Sequence, residues 1–140
     1  MDIRFPFEDE GRTSFGHIYR PVAKVSLASP TVDIAVDVWM VVDTGADYTI
    51  IPRHFARKLR VSLETDCVKD TTVGVGGTQA IFFYKKRITA TVGPFKRNIP
   101  LAFFDTNEVP ALLGRLGFLE TFDIEFLKSH IVVFKSSAAS

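Results

Sequence analysis

Apolar residues recur at every second position in several short runs of this chain. Val32, Ile34, Val36, Val38, Met40 and Val42 form the longest series, the signature of a strand with one buried face. Toward its end Trp39 and Val41 make the other face apolar too, so this strand is expected to dive into the core. Val25 and Leu27 share a face in a first strand running from Tyr19 to Leu27, and the turn Ala28-Ser29-Pro30-Thr31 joins the two as a hairpin. Ile88, Ala90 and Val92 alternate with Arg87, Thr89 and Thr91, a half-buried strand ended by Gly93-Pro94. Denser apolar runs, Ile81-Phe82-Phe83-Tyr84 and Ile99 to Phe104, predict further strands. Between Thr71-Thr72-Val73 and Ile81, the break Gly74-Val75-Gly76-Gly77 reads as a hairpin tip. Helical spacing is rarer. Phe55, Ala56 and Leu59 follow Pro52, which suits a first turn, and predict a short helix over 53–60. Ala111-Leu112-Leu113 predicts a short strand that turns at Gly114 into a helix carrying Leu116, Leu119 and Phe122. Phe122 to Phe126 and His130 to Phe134 predict a closing hairpin about Lys128-Ser129.

Many short strands with frequent turn signals indicate an all-β fold, a mainly antiparallel closed or partly open barrel with one or two short helices. Residues 1–17 alternate Phe with charged and small polar residues and read as an N-terminal arm, ordered only if it docks on something. The domain is expected over 18–135, including a C-terminal hairpin at 122–134, with 136–140 as a tail.

Composition narrows the function classes. A chain of 140 residues is long enough for one domain with a real core. Its net charge of +1 gives no electrostatic footprint for nucleic acid or membrane. Thirteen Phe are more than surface decoration explains and point to the core first, a substrate pocket second. The single Cys67 excludes an internal disulfide and fits a reducing compartment. The first residues show no basic region followed by an apolar one, and no apolar run approaches ~20 residues. A soluble, cytoplasmic protein is expected. His17, His54 and His130 lie far apart without metal-ligand spacing, so no metal and no cofactor is expected. No GxSxG, Cys/His or phosphate-cradling glycine signature appears.

The candidate chemistry sits where the long strand ends. Val41-Val42 runs into Asp43-Thr44-Gly45-Ala46-Asp47, which brings an acid toward the core, where a charge is costly without compensation or a use. Alone, the triplet reads better as a solvated turn after a strand. Two other stretches change that balance: Gly74-Val75-Gly76-Gly77, and Leu112-Leu113-Gly114-Arg115. In this order the three resemble the active-site loop, the flap tip and the apolar-apolar-Gly-Arg segment of the retropepsin-like aspartic proteases. The resemblance runs from about Ile18 to Phe122. Leu116 departs from it, standing where an Asp or Asn usually follows Gly-Arg.

The resemblance implies an acid-protease-type barrel and hydrolysis of peptide bonds by a water held between two carboxylates. The chain offers one Asp-Thr-Gly; Asp70-Thr71 and Asp105-Thr106 lack the glycine. One chain then carries half a site, and a homodimer would bring Asp43 against its symmetry mate. On this view Asp43, Thr44 and Gly45 are catalytic, with Thr44 bonding across the dimer axis. Ala46, Asp47, Gly74, Val75, Gly76 and Gly77 contact a peptide or protein substrate, and Arg115 and Gly114 give structural support. The rival is an inactive module of the same fold that dimerises or binds peptides. The retroviral members that the chain resembles are shorter, and their dimer is sewn together by terminal strands. The segments added here before and after that region favour the rival if they cover that interface.

Overall fold

The computed structural model describes residues 1–74 and 77–136. Val75 and Gly76 of the expected flap tip lie outside the described residues, as does the end of the tail. In chain order the elements are β1 (Asp2–Pro6), β2 (Glu8–Thr13), β3 (Gly16–Arg20), β4 (Val22–Ala28), β5 (Ala35–Val42) and β6 (Thr49–Ile51). Helix α1 (His54–Lys58) follows, then β7 (Cys67–Gly74), β8 (Gly77–Tyr84), β9 (Ile88–Val92), β10 (Phe95–Ile99), β11 (Leu101–Phe104) and β12 (Leu112–Leu113). A 3-10 turn at Leu119–Thr121 leads to β13 (Asp123–Leu127) and β14 (Ile131–Lys135).

Nine strands share one sheet in the order β10-β9-β4-β5-β12-β6-β11-β8-β7, with β10 and β7 as open edges. The fold is thus all-β and partly open, with one short α-helix among the described residues. Most ladders are antiparallel, but β12 runs parallel to β5 and β11 parallel to β6. Those two parallel pairs bring distant segments against the end of β5.

Alternation does what its period requires. On β5 Val38, Met40 and Val42 are buried; on β9 Ile88, Ala90 and Val92 are fully so. Register sets Val25 across from Val38 and Ala23 across from Met40, so one row of side chains fills the core between the strands. Each buried Val, Ile or Met among them contributes about 1.5–3 kcal/mol relative to exposure. Two members of the longest series fall outside β5. Ser29 Oγ accepts the Thr31 and Val32 amides at 3.2 and 3.3 Å, and this hydroxyl turn leaves Val32 exposed before the strand begins. Trp39 also departs from expectation: it is 56% exposed, its ring meeting Phe5 edge-on at 6.0 Å.

Two further expectations are corrected by local geometry. The helix expected after Gly114 is only the 3-10 turn, because Gly117 adopts φ +74 and breaks the spiral before it can propagate. Pro21 divides the expected first strand into β3 and β4. Residues 1–17 are ordered. β1 adds to β14, and Phe5 packs against Phe134 at 6.1 Å, so docking supplies what the short segment lacks alone. The anticipated boundary at 17/18 falls inside β3. β2 and β3 form a separate two-stranded hairpin, stacked on the body where the Tyr19 and His130 rings lie 4.0 Å apart. β14 ends up central in a three-stranded terminal sheet, with β1 on one edge and β13 on the other. Phe118, Phe122 and Phe134 cluster behind it, which accounts for part of the Phe content.

Candidate active site

The loop between β5 and β6 carries Asp43. β12 runs parallel to β5, with Leu113 level with Val42, and its chain then continues past the loop. Four hydrogen bonds tie the two segments. The Asp43 amide donates to Leu113 O at 3.1 Å, the Arg115 amide to Ala46 O at 2.9 Å and the Leu116 amide to Asp47 O at 2.8 Å. The Gly114 amide donates to Thr49 Oγ1 at 3.1 Å, and Thr49 is fully buried. An ion pair between the Arg115 guanidinium and the Asp47 carboxylate adds to these. Within the loop the Ala46 amide donates to Asp43 O at 3.1 Å. A loop that would otherwise be a plain turn is thereby fixed in place.

Both glycines are there for close approach rather than unusual torsion. A Cβ on Gly114 would sit 2.2 Å from the Tyr48 carbonyl oxygen, so any side chain there forces the two segments apart. At Gly45 a Cβ would press to 3.3 Å from Asp43 Oδ1, the oxygen to which the Gly45 amide donates at 2.9 Å. Glycine lets the amide reach the carboxylate.

Asp43 itself is half-buried rather than deep in the core, and Thr44 beside it is exposed. The Thr44 hydroxyl makes no hydrogen bond to any described residue. Gly74 pairs with Gly77 at the end of the β7–β8 ladder, and Gly77 has φ +114, a torsion that favours glycine. This hairpin faces the loop across a cleft of about 570 Å³. Gly45, Ala46 and Asp47 line one side and Asp70 to Val73 the other, over a floor that includes Ile50, Ile81, Phe83 and Phe104. The structure thus brings Ala46, Asp47 and the hairpin to one cavity. Arg115 and Gly114 lie behind the loop. Among the described residues no cluster of His, Cys, Asp or Glu is placed to hold a metal.

Two residues escaped the sequence reading. Tyr48 meets Phe83 edge-on at 4.8 Å and lines the cleft, although it directly follows Asp47 in the sequence. Asp70, set aside for want of a following glycine, lines it as well. The available signal was alternation: 68, 70 and 72 share a face of β7 that the hairpin register sets against Phe83, Ile81 and Gln79.

Comparisons with known proteins agree with this geometry. The family model described as aspartyl protease matches residues 28–116, from the end of β4 to the segment behind the loop. A crystal structure of a retropepsin-like aspartic protease from Rickettsia conorii superposes with a TM-score of 0.62 at 19% identity, covering 95% of this chain and 98% of that one. The EIAV protease in complex with an inhibitor gives a TM-score of 0.50 at 20% identity, over 69% of this chain and 82% of that one. No curated protein matches. At such identities the structural likeness establishes the retropepsin-like fold, and the match over most of the chain establishes descent. The chain belongs to the aspartyl protease family.

Proposed function

We propose that this protein is an aspartic endopeptidase that works as a homodimer, with one Asp43 from each chain. The observation that carries the reading is a single Asp-Thr-Gly loop, tied rigidly from behind, whose Gly45 opens with Ala46 and Asp47 on a peptide-sized cleft and whose Thr44 hydroxyl has no partner among the described residues. Across a two-fold axis that hydroxyl would bond the partner loop, because an isologous contact repeats each residue. Two carboxylates held about 3 Å apart cannot both ionise readily and share one proton. The ionised one takes a proton from water as the water attacks the scissile carbonyl. Its protonated mate gives a proton to the carbonyl oxygen, and the diol collapses with a proton passing to the leaving nitrogen. Gly45 directs its amide at one carboxylate oxygen, and Asp47 stands where it can accept substrate amides. The hairpin ending at Gly74 and Gly77 serves as a flap that closes over the peptide and excludes water. The chemistry needs no cofactor, and the protein works in solution in the cytoplasm.

A second reading has one observation in its favour. β14 is already paired on both edges, by β1 and β13, within one chain. A dimer sewn together by exchanging terminal strands has no free edge on β14 to use. If that sheet caps the interface, the fold is an inactive dimerisation or peptide-binding module. Sedimentation velocity together with cleavage of a peptide library between about pH 4 and 7 separates the two. Dimers that cut are expected. A strict monomer that cuts nothing at any concentration overturns the peptidase.

A further inference from the structure

We propose that Asp70 makes the cleft selective for peptides that carry a Lys or Arg next to the large apolar side chain seated on its floor. The inference rests on the peptide-cleft reading above and adds the charge of the ligand to it. Strand alternation puts Val68, Asp70 and Thr72 on one face of β7, opposite Phe83, Ile81 and Gln79 on β8. Ile81 and Phe83 line the cleft and Ile81 is 2% exposed, so this is the face that looks inward. Two cations beside the hairpin, Lys69 and Arg53, belong to the other face. Lys69 Nζ lies 5.9 Å from the Phe82 ring centre, and the Arg53 guanidinium stands at the same distance from that ring. Among the described residues the Asp70 carboxylate has one hydrogen-bond partner, the Thr71 amide, which donates to Oδ1 at 2.8 Å.

The other charged residue lining the cleft is Asp47, and Arg115 already engages it. No Lys or Arg lines the cleft among the described residues. The cavity therefore presents a carboxylate without a counter-cation beside a greasy floor. A Lys or Arg side chain fits both demands, laying its methylene stem along Phe83 and reaching its head to the free Asp70 oxygen. An acidic side chain in the same position meets repulsion, so the wall rejects as well as attracts.

The test uses non-cleavable reduced-amide peptides with Phe before the modified bond and Lys, norleucine or Glu scanned through the flanking positions. Affinity is read by calorimetry on the full chain, on Asp70→Asn and on Asp70→Lys. At one position Lys is expected to bind about fivefold tighter than norleucine, the scale of a partly exposed ion pair, and Glu weaker than both. High salt shrinks that preference, Asp70→Asn removes it, and Asp70→Lys turns it toward Glu. Binding without charge preference, a preference that survives Asp70→Asn, or no binding of any peptide overturns the proposal. The peptidase reading fails separately. If the matching natural amides bind with the Lys preference and are never cut, Asp70 keeps its role and the hydrolysis is lost. If they are cut without charge preference, the reverse holds.

Discussion

The loop that carries Asp43 and the hairpin that faces it across the cleft are built by opposite means. The loop borrows its order from residues some seventy positions away. Backbone amides of Gly114, Arg115 and Leu116 donate into it, a buried Thr49 receives one of them, and Gly114 leaves no space for a side chain. The hairpin borrows little. Among the described residues β7 pairs with β8 alone and forms an edge of the large sheet, with Val68 and Val73 exposed at 55% and 80%. Two apolar side chains left in water on a strand with a free edge invite a covering partner, be it a peptide or a second chain. The lesson is one of division. Chemistry needs an acid held within fractions of an ångström, while binding needs a wall that can admit a ligand.

The sharpest way to break this comparison is at the acid. Asp43→Asn keeps the oxygen that accepts the Gly45 amide but cannot trade protons, so turnover should fall by at least about 10³-fold. Sedimentation and thermal unfolding should stay close to the parent. A variant that still cuts at the parent rate places the chemistry elsewhere. Next comes Gly114→Ala, which leaves the acid alone and attacks its support. Its Cβ would lie 2.2 Å from Tyr48 O and 2.9 Å from the Thr49 amide nitrogen, backbone atoms that cannot swing aside. Urea unfolding should show a loss of about 3 kcal/mol or more. Gly77→Ala is its counterpart in the hairpin. No atom lies within 4 Å of the added Cβ, so only the torsion at φ +114 is paid for, at about 1–2 kcal/mol. Equal losses at the two glycines would erase the contrast between the regions.

How much of this was legible depended on the range over which each feature is decided. The alternation of Val38, Met40 and Val42, or of Ile88, Ala90 and Val92, is local, and burial follows it residue by residue. The loop was legible because its residue types are chemically unusual after an apolar strand. The expected helix at Leu116 failed because Gly117 outweighs three apolar residues at helical spacing. What stayed hidden was pairing between distant segments. Nothing in Phe5 or Pro6 announces that β1 lies on β14, more than a hundred residues on, and nothing in Asp70-Thr71 announces that Ile81 is its cross-strand partner. Asp43 was also placed too deep, since β5 ends before the acid and leaves it half-exposed.

The foot of the hairpin sharpens the contrast from another side. Cys67 opens β7 and is 7% exposed, packed into the main core. Burial, with help from the neighbouring Asp66 charge, pushes its thiol up to about 11 from 9.0, while Lys85 pulls weakly the other way. The unfolded thiol then releases its proton first, so folding should lose stability as pH rises from about 9 to about 11. Tyr84, across the ladder from Cys67, is raised by burial as well and adds in the same direction. A loss of no more than about 2 kcal/mol is expected over that window, following the size of the thiol shift. Cys67→Ala should flatten part of the decline in urea titrations at pH 8 and pH 10.5. An identical slope in the variant would show that the foot is wetter than its exposure indicates.

The smallest expected effect is at Asp47, and it asks whether one contact can serve both regions. Its carboxylate pairs with Arg115, and its carbonyl accepts the Leu116 amide at 2.8 Å. Asp47→Ala removes only the first of these, because the carbonyl belongs to the backbone. The two side chains are 65% and 50% exposed, so solvent screens the pair and its loss should cost less than about 1 kcal/mol of stability. Binding should suffer more than folding. Asp47 also lines the cleft, and a freed Arg115 would put a cation beside a lining whose described charged residues are acidic. A rise in KM of about threefold to tenfold with kcat nearly unchanged is the signature of lost uniform binding. Should kcat fall instead while KM holds, Arg115 is tuning the position of Asp43 through the loop, and the rigid region reaches further into the cleft than its hydrogen bonds alone imply.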